Sequence, residues 1–340
     1  MMSYNKSIFC FSDNGPAMKT PKQFTTALFT LLTLVLILGL VGSARSVDPA
    51  PAQTWLLLHG IWPGSGWNWQ KTAYWLKQSE QTGKVFIPTL NGRAGLYKWA
   101  DNITIYAESQ KLLTQETQIH LVSHSFGAAA TLFLLRTVYE LTQGDLSVLI
   151  AKLDCNRYWG NALSVCKELM NGWEGLLSDE KARARWIATA QKIKTVTLYH
   201  PALQGACGAC VDVLGVAGRT SGALCLLEKI AAWLWYPIEH LTWDGEKRIL
   251  NLYGAMTWSV SLCGFTSNDI ALNLQQQKLY GERLKNLSSE CLNSSYTEID
   301  AGAYSHISFI HRWNVAKELV ERILQWQRTP IGANCPKEPK

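Results

Sequence analysis

Six short apolar runs constrain this chain more than any other feature of its sequence. They are Trp55–His59, Val85–Ile87, Ile119–Val122, Thr195–Tyr199, Ile249–Tyr253 and the weaker Tyr296–Ile299. A strand can be apolar on successive residues only if both faces of its sheet are covered, so these runs predict buried parallel strands. Between them lie stretches with helical periodicity, over about 67–81, 101–117, 127–142 and 313–327. The β-α-β-α order predicts an α/β fold with an open, mostly parallel central sheet covered by helices. Two segments break the rhythm. Residues 144–192 and 205–247 are too long for simple connections and read as insertions over one edge of the sheet.

Composition narrows the class. A chain of 340 residues can bury a core without a metal, and 47% hydrophobic with only 17% charged residues excludes disorder. The net charge of +6 divides evenly between residues 1–46 and the remainder. No basic run or stripe is left to hold a phosphate backbone, so nucleic acid is excluded as a partner. The fifteen tryptophans suit a protein that handles apolar ligands.

The first 46 residues have the order of an export signal. Lys19 and Lys22 precede a segment without charge, almost wholly apolar from Ala27 to Val41, and small residues follow it at Gly42–Ser46. This predicts a secretory signal peptide cleaved near Ala44–Ser46, with Met18 as an alternative start. Left uncleaved, the segment would be a membrane anchor. Either way the rest of the chain is expected to be periplasmic or extracellular, as a domain over 47–330 with a tail over 331–340.

Cysteine usage fits export. Eight of the nine cysteines follow the apolar segment, and an even number in an oxidising compartment predicts up to four disulfides of open connectivity. Cys207 and Cys210 have the spacing of a redox motif, but without a thioredoxin-like unit they read as structural partners. No second cluster completes a zinc site, and no motif calls for a metal or cofactor.

The third run leads into Ser123-His124-Ser125-Phe126-Gly127, close to the G-x-S-x-G nucleophile elbow between a strand and a helix. That elbow needs small residues two before and two after the nucleophile, because its backbone is strained and strand and helix pass close together. Gly127 meets the demand, and Ser123 replaces the first glycine. The competing reading is an ordinary strand-to-helix turn with a serine cap. After the first run, His59-Gly60-Ile61 stands where an oxyanion loop belongs, which makes the amides of Ile61 and Phe126 the candidate donors. His59 itself reads as a brace for that loop.

In the chain order Ser, acid, His, the histidine comes last. His306, after the last run and before the final helix, is the candidate base, with His311 a weaker one and His124 structural. Asp212, Asp244, Asp269 and Asp300 compete for the acid. Asp300 shares a strand end with His306, and Asp269 has the right chain position.

Four stretches together resemble the secreted triacylglycerol lipases of bacteria, in the α/β-hydrolase superfamily. They are Leu58–Ile61, Ser123–Gly127, Tyr199–Gly205, and Ser267–Leu272 with Lys278–Gly281. The resemblance implies an α/β-hydrolase fold, a triad of Ser125, Asp269 and His306, and a mobile lid over 206–240. It departs from the family in the long stretch from Ser125 to Pro201. It also departs at Ser308, where a calcium-binding aspartate is common, so no calcium site is carried over.

These readings converge on a secreted serine ester hydrolase that cleaves acyl esters, with a lipid or other acyl ester as partner and contact with a lipid–water interface. The same scaffold also suits a thioesterase, an amidase or an acyltransferase, since function belongs to the pocket rather than the fold. A non-catalytic binding module is a third reading, which the retained Ser, Asp and His in order argue against.

Overall fold

The computed structural model describes residues 52–61, 69–79, 83–114, 116–206, 209, 219–254, 256–261, 264–268, 272, 277–278, 295–302 and 312–329, with backbone only for 256–261 and 264–268. The expected signal segment and the tail lie outside these residues. The strands are β1 (Ala52–Leu58), β2 (Lys84–Phe86), β3 (Thr117–His124), β4 (Ile193–Tyr199), β5 (Arg248–Tyr253), β6 (Met256–Ser261), β7 (Gly264–Asn268) and β8 (Tyr296–Asp300). Six of them form one sheet in the order β2-β1-β3-β4-β5-β8, every pair parallel. Each of the six apolar runs is one of these strands. The antiparallel pair β6–β7 stands apart as a small second sheet and was not expected.

The sheet is apolar on both sides, as its sequence demands. Trp55, Leu57, Val122, Tyr199, Leu250 and Leu252 face one core, and Leu56, Leu58, Leu121, Val196, Leu198 and Ile249 face the other. Helices α1 (Gln70–Lys77) and α9 (Trp313–Arg328) cover the first face. In α9 the buried residues Val315, Leu319, Val320 and Ile323 form the stripe that a helix lying on a sheet needs. The second face is covered by α2 (Leu96–Ser109), α3 (Phe126–Thr142) and α6 (Glu180–Lys192). Beyond them lie α4 (Leu146–Lys152), α5 (Gly160–Ser178), α7 (Arg219–Leu234) and the single turn α8 (Glu239–Thr242). This is the expected α/β arrangement, a parallel sheet between helical layers.

The two segments that broke the rhythm are helical. Residues 144–192 fold as α4, a 3₁₀ turn at Cys155–Arg157, α5 and α6. Helix α6 runs directly into β4 and packs on β3 and β4, so it covers the middle of the sheet rather than an edge. A disulfide between Cys155 and Cys166 ties the 3₁₀ turn to α5, and Cys225 is disulfide-bonded too. Closing so short a loop stabilises a fold by on the order of 2–3 kcal/mol. The run expected as a lid contains α7. Both its apolar faces meet protein, α5 on one side and α3 on the other, and Glu228 and Lys229 reach solvent. Gly222 lies so close to the Asn161 carbonyl that a Cβ would come within 2.5 Å of it. The Trp235 indole, just beyond α7, is 1% exposed and donates to the Leu203 carbonyl at 2.6 Å.

Strand order also makes a crevice. The chain passes from β1 to β2 on one side, then crosses to β3 on the other side of β1. The connections after β1 and β3 therefore leave in opposite directions, and the gap beyond their carboxyl ends is where open α/β sheets bind ligands.

Two titratable groups are buried in the scaffold. Lys247 is 2% exposed, donates to the Ile193 carbonyl at 2.9 Å and lies 4.1 Å from the centre of the Trp243 ring. Burial brings its ammonium down to about 8. His120 stacks on Trp55, pairs with the Thr195 hydroxyl at 2.8 Å, and is pushed by burial down to about 4. Between about pH 4 and 6.5 the unfolded chain therefore binds a proton at His120 that the folded chain does not, so stability rises with pH across that window. Denaturant unfolding of wild type should lose about 3 kcal/mol more than His120→Gln between pH 7 and 4. Parallel losses in the two proteins would show that His120 is not held neutral by burial.

Candidate active site

Ser125 follows β3 and immediately precedes α3, with φ 56° and ψ −126°. A non-glycine residue at positive φ costs on the order of 1–3 kcal/mol unless its surroundings hold it there. Three backbone hydrogen bonds do so. Its N–H donates to the Tyr199 carbonyl at 3.2 Å, and its own carbonyl accepts from Ala128 at 3.1 Å and from Ala202 at 3.2 Å. The side chain is 5% exposed. Ser125 thus occupies a strained strand-to-helix turn beyond the sheet's carboxyl edge, beside the crevice between β1 and β3.

The small residues expected around it have distinct physical reasons. A Cβ on Gly127 would come 2.3 Å from the His59 carbonyl oxygen and 3.1 Å from the Trp99 ring, so only glycine lets α3 pass the loop after β1. Ser123 is fully buried, and its hydroxyl lies 2.8 Å from that of Thr131. Thr131 donates to the Gly127 carbonyl at 2.9 Å, which leaves Ser123 as the donor to Thr131. The serine at the first elbow position is therefore accommodated by a hydroxyl relay across the first turns of α3.

The loop after β1 lies against Ser125. A Cβ on Gly60 would approach the Ser125 Cβ to 2.8 Å and its Oγ to 3.2 Å. His59 is fully buried, and its Nε2 accepts the Leu90 N–H at 3.1 Å. Its Nδ1 must then carry the proton, which it donates to the Gly60 carbonyl at 2.8 Å. Burial lowers the pKa of this ring and keeps it neutral. His59 is a brace that fixes the Gly60–Ile61 backbone beside the serine. Ile61 is half-buried, and Phe126 is fully buried as the first residue of α3, whose amide the helix itself cannot satisfy.

Asp269, His306, His311 and Asp212 lie outside the described residues. Asp244 accepts the Tyr139 hydroxyl at 2.9 Å. Tyr139 is fourteen positions along from Ser125, roughly 20 Å down α3, so Asp244 is engaged far from the serine. Asp300 accepts the Gly302 N–H at 2.8 Å and shapes the turn after β8. His124 is buried among Trp69 and Tyr199. Among the described residues no group of acids, histidines and cysteines could hold a metal ion. A cavity of about 950 Å³ opens between the start of α5 and α7, lined by Arg157, Trp159, Lys229 and Trp233. Ser125 is not among the described residues that line it.

Two features near the site were not anticipated. His200, directly after β4, is fully buried at φ 43°. It lies inside the Tyr199–Gly205 stretch, but no spacing rule singles it out. Gln277 is also fully buried. Its side chain accepts the Gly254 N–H at 3.0 Å and donates back to the Gly254 carbonyl at 2.9 Å. The Gln277 carbonyl receives Asn251 Nδ2 at 3.0 Å, and Asn251 also donates to Glu298 at 3.0 Å. This network secures Gln277 to the end of β5, and nothing in the local sequence pattern marks it.

No protein-family model and no curated protein matches the sequence. Solved structures with a similar chain path include the mature form of the Bacillus licheniformis lipase BlEst2, 13% identical over 82% of this chain and 92% of that one, with a TM-score of 0.44. The metagenomic carboxyl esterase MGS0156 is 15% identical over 83% of this chain and 76% of its own, at a TM-score of 0.42. Est1E from Butyrivibrio proteoclasticus is 13% identical over 83% and 91%, also at 0.42. The likeness is one of fold.

Close packing at the elbow has a direct test. Gly127→Ala should cost several kcal/mol or prevent folding, because the clash is with backbone. Gly175→Ala, in α5 with nothing within 4 Å of the added methyl, should gain up to about 1 kcal/mol. A double-mutant cycle of Ser123→Ala and Thr131→Val should show a coupling of about 1 kcal/mol. Simple additivity would mean that the hydroxyl relay contributes nothing.

Proposed function

We propose that this protein is an exported serine ester hydrolase that cleaves acyl esters, with Ser125 as its nucleophile. The observation that carries the reading is the strained, nearly buried turn that presents Ser125 at the sheet's switch point, directly beneath the braced Gly60 backbone. A left-handed serine between strand and helix is costly for a mere connection, and it is what a nucleophile elbow needs. The basic, apolar and small-residue order of the first 46 residues supports export.

In this reading Ser125 Oγ attacks the acyl carbonyl carbon as its proton passes to His306. The tetrahedral oxyanion is held by the amides of Ile61 and Phe126, and Asp269 orients the imidazolium. Collapse expels the alcohol, which takes the proton from His306. Water, activated by the same histidine, then attacks the acyl-serine and releases the carboxylic acid. A lipid ester is the favoured substrate, on the resemblance of four sequence stretches to secreted lipases.

Hydrolysis of p-nitrophenyl esters of rising chain length, with fluorophosphonate labelling, tests this reading. Ser125→Ala should abolish labelling and lower kcat by about 10⁴-fold or more. Asp269→Asn should lose activity on a similar scale, whereas Asp244→Asn, which touches only the Tyr139 contact, should keep it. Undiminished turnover by Ser125→Ala would overturn the proposal. Activity confined to short, dissolved esters would reject the lipid substrate and leave a general esterase.

A further inference from the structure

We infer that the turn Tyr199–Ala202, bent at His200, is the device that positions Ser125, so that the nucleophile's strained geometry is imposed from β4 as well as by its own elbow. The inference rests on the serine-hydrolase reading. Both polar backbone groups of Ser125 are taken by this one turn: its N–H by the Tyr199 carbonyl and its carbonyl by the Ala202 N–H, each at 3.2 Å. The two bonds can coexist only if the chain reverses within three residues. His200 makes the reversal by adopting φ 43°, an uncommon conformation for a residue with a side chain. Pro201 stiffens it, because its own φ is fixed and it offers no competing N–H.

The turn is in its own right locked to the sheet. The His200 N–H donates to the Leu252 carbonyl on β5 at 2.9 Å. Its ring is fully buried and meets the Tyr199 ring edge-on at 4.4 Å. Gly254, just past β5, has no room for a side chain there: a Cβ would lie 3.2 Å from His200 Cε1 and 2.6 Å from the Gly302 carbonyl just past β8. The ends of β4, β5 and β8 thus converge on His200, and through two hydrogen bonds they fix the backbone of Ser125. His200 is a positioning residue, acting through the peptide groups on either side of it and not on substrate.

A series at position 200 separates backbone from ring. Valine resists a left-handed backbone, whereas asparagine adopts it readily. The readouts are kcat and KM for a p-nitrophenyl ester and the rate of fluorophosphonate labelling, measured well below each variant's Tm. His200→Val should lower kcat and labelling by about 10–100-fold with KM within about twofold, and His200→Asn should restore most of the loss. Should the valine variant fail to fold, Ala202→Pro, which removes the N–H that reaches the Ser125 carbonyl and fixes φ at that position, should show the same fall in kcat. Wild-type labelling rates in His200→Val or Ala202→Pro would overturn the positioning role and leave the hydrolase reading intact. Equal losses in the valine and asparagine variants would overturn it too, assigning the effect to the ring. Absence of labelling in wild type would instead remove the hydrolase reading, and this inference with it.

Discussion

The meeting of α3 with the loop after β1 is the constraint on which the rest of the site depends. Hydrogen in place of a side chain at Gly127 lets the helix pass within contact of the His59 carbonyl. That approach brings the loop after β1 against the elbow and sets the Gly60 backbone beside Ser125. Every other feature of the elbow follows from this proximity. His59 is neutral and doubly bonded because it is fully buried between two backbones, one a donor and one an acceptor. Ser125 must take a positive φ because the chain has only one residue in which to turn from strand to helix.

The scaffold and the site are kept at different places on the sheet. Lys247 contacts the first residue of β4, and His120 is paired with Thr195 two residues further on. Ser125, His200 and Gly254 lie past the opposite ends of their strands. Burial lowers the pKa of Lys247 and His120 at one end of the sheet, and backbone strain is concentrated where the strand ends converge. The polar network of Asn251, Gln277 and Glu298 lies between these zones, with Asn251 Nδ2 donating to both partners and Gln277 held by the Gly254 backbone.

Much of this was legible in the sequence, and the exceptions have physical causes. The six strands could be read because burial on both faces leaves short apolar runs that alternate with helical stretches. The elbow could be read because its steric demand falls on particular positions, and the bracing role of His59 followed from its place in the chain. Helix α6 escaped because it buries only Trp186, Thr189 and Ala190 fully, too few apolar positions to set a period. It was therefore read as part of an edge insertion when it lies on the sheet. The pairing of Cys155 with Cys166 depends on where α5 starts, which cysteine spacing does not encode. His200 was invisible because its part in the structure is played by its φ angle, and sequence patterns register side chains.

The hydroxyl relay from Ser123 through Thr131 to the Gly127 carbonyl makes positions 123 and 131 a single character in the history of this chain. With glycine at 123 the eighth residue beyond it is free to be any small side chain. Serine there brings a donor into a dry interior, and a hydroxyl at 131 gives it an acceptor that is itself already satisfied. Serine at 123 keeps a partner only if the hydroxyl at 131, which the Gly127 carbonyl satisfies by itself, is already in place. Searches that insist on glycine at the head of the elbow would pass over chains on this side of the divide, whereas a paired pattern, serine with threonine eight residues on, would recover them.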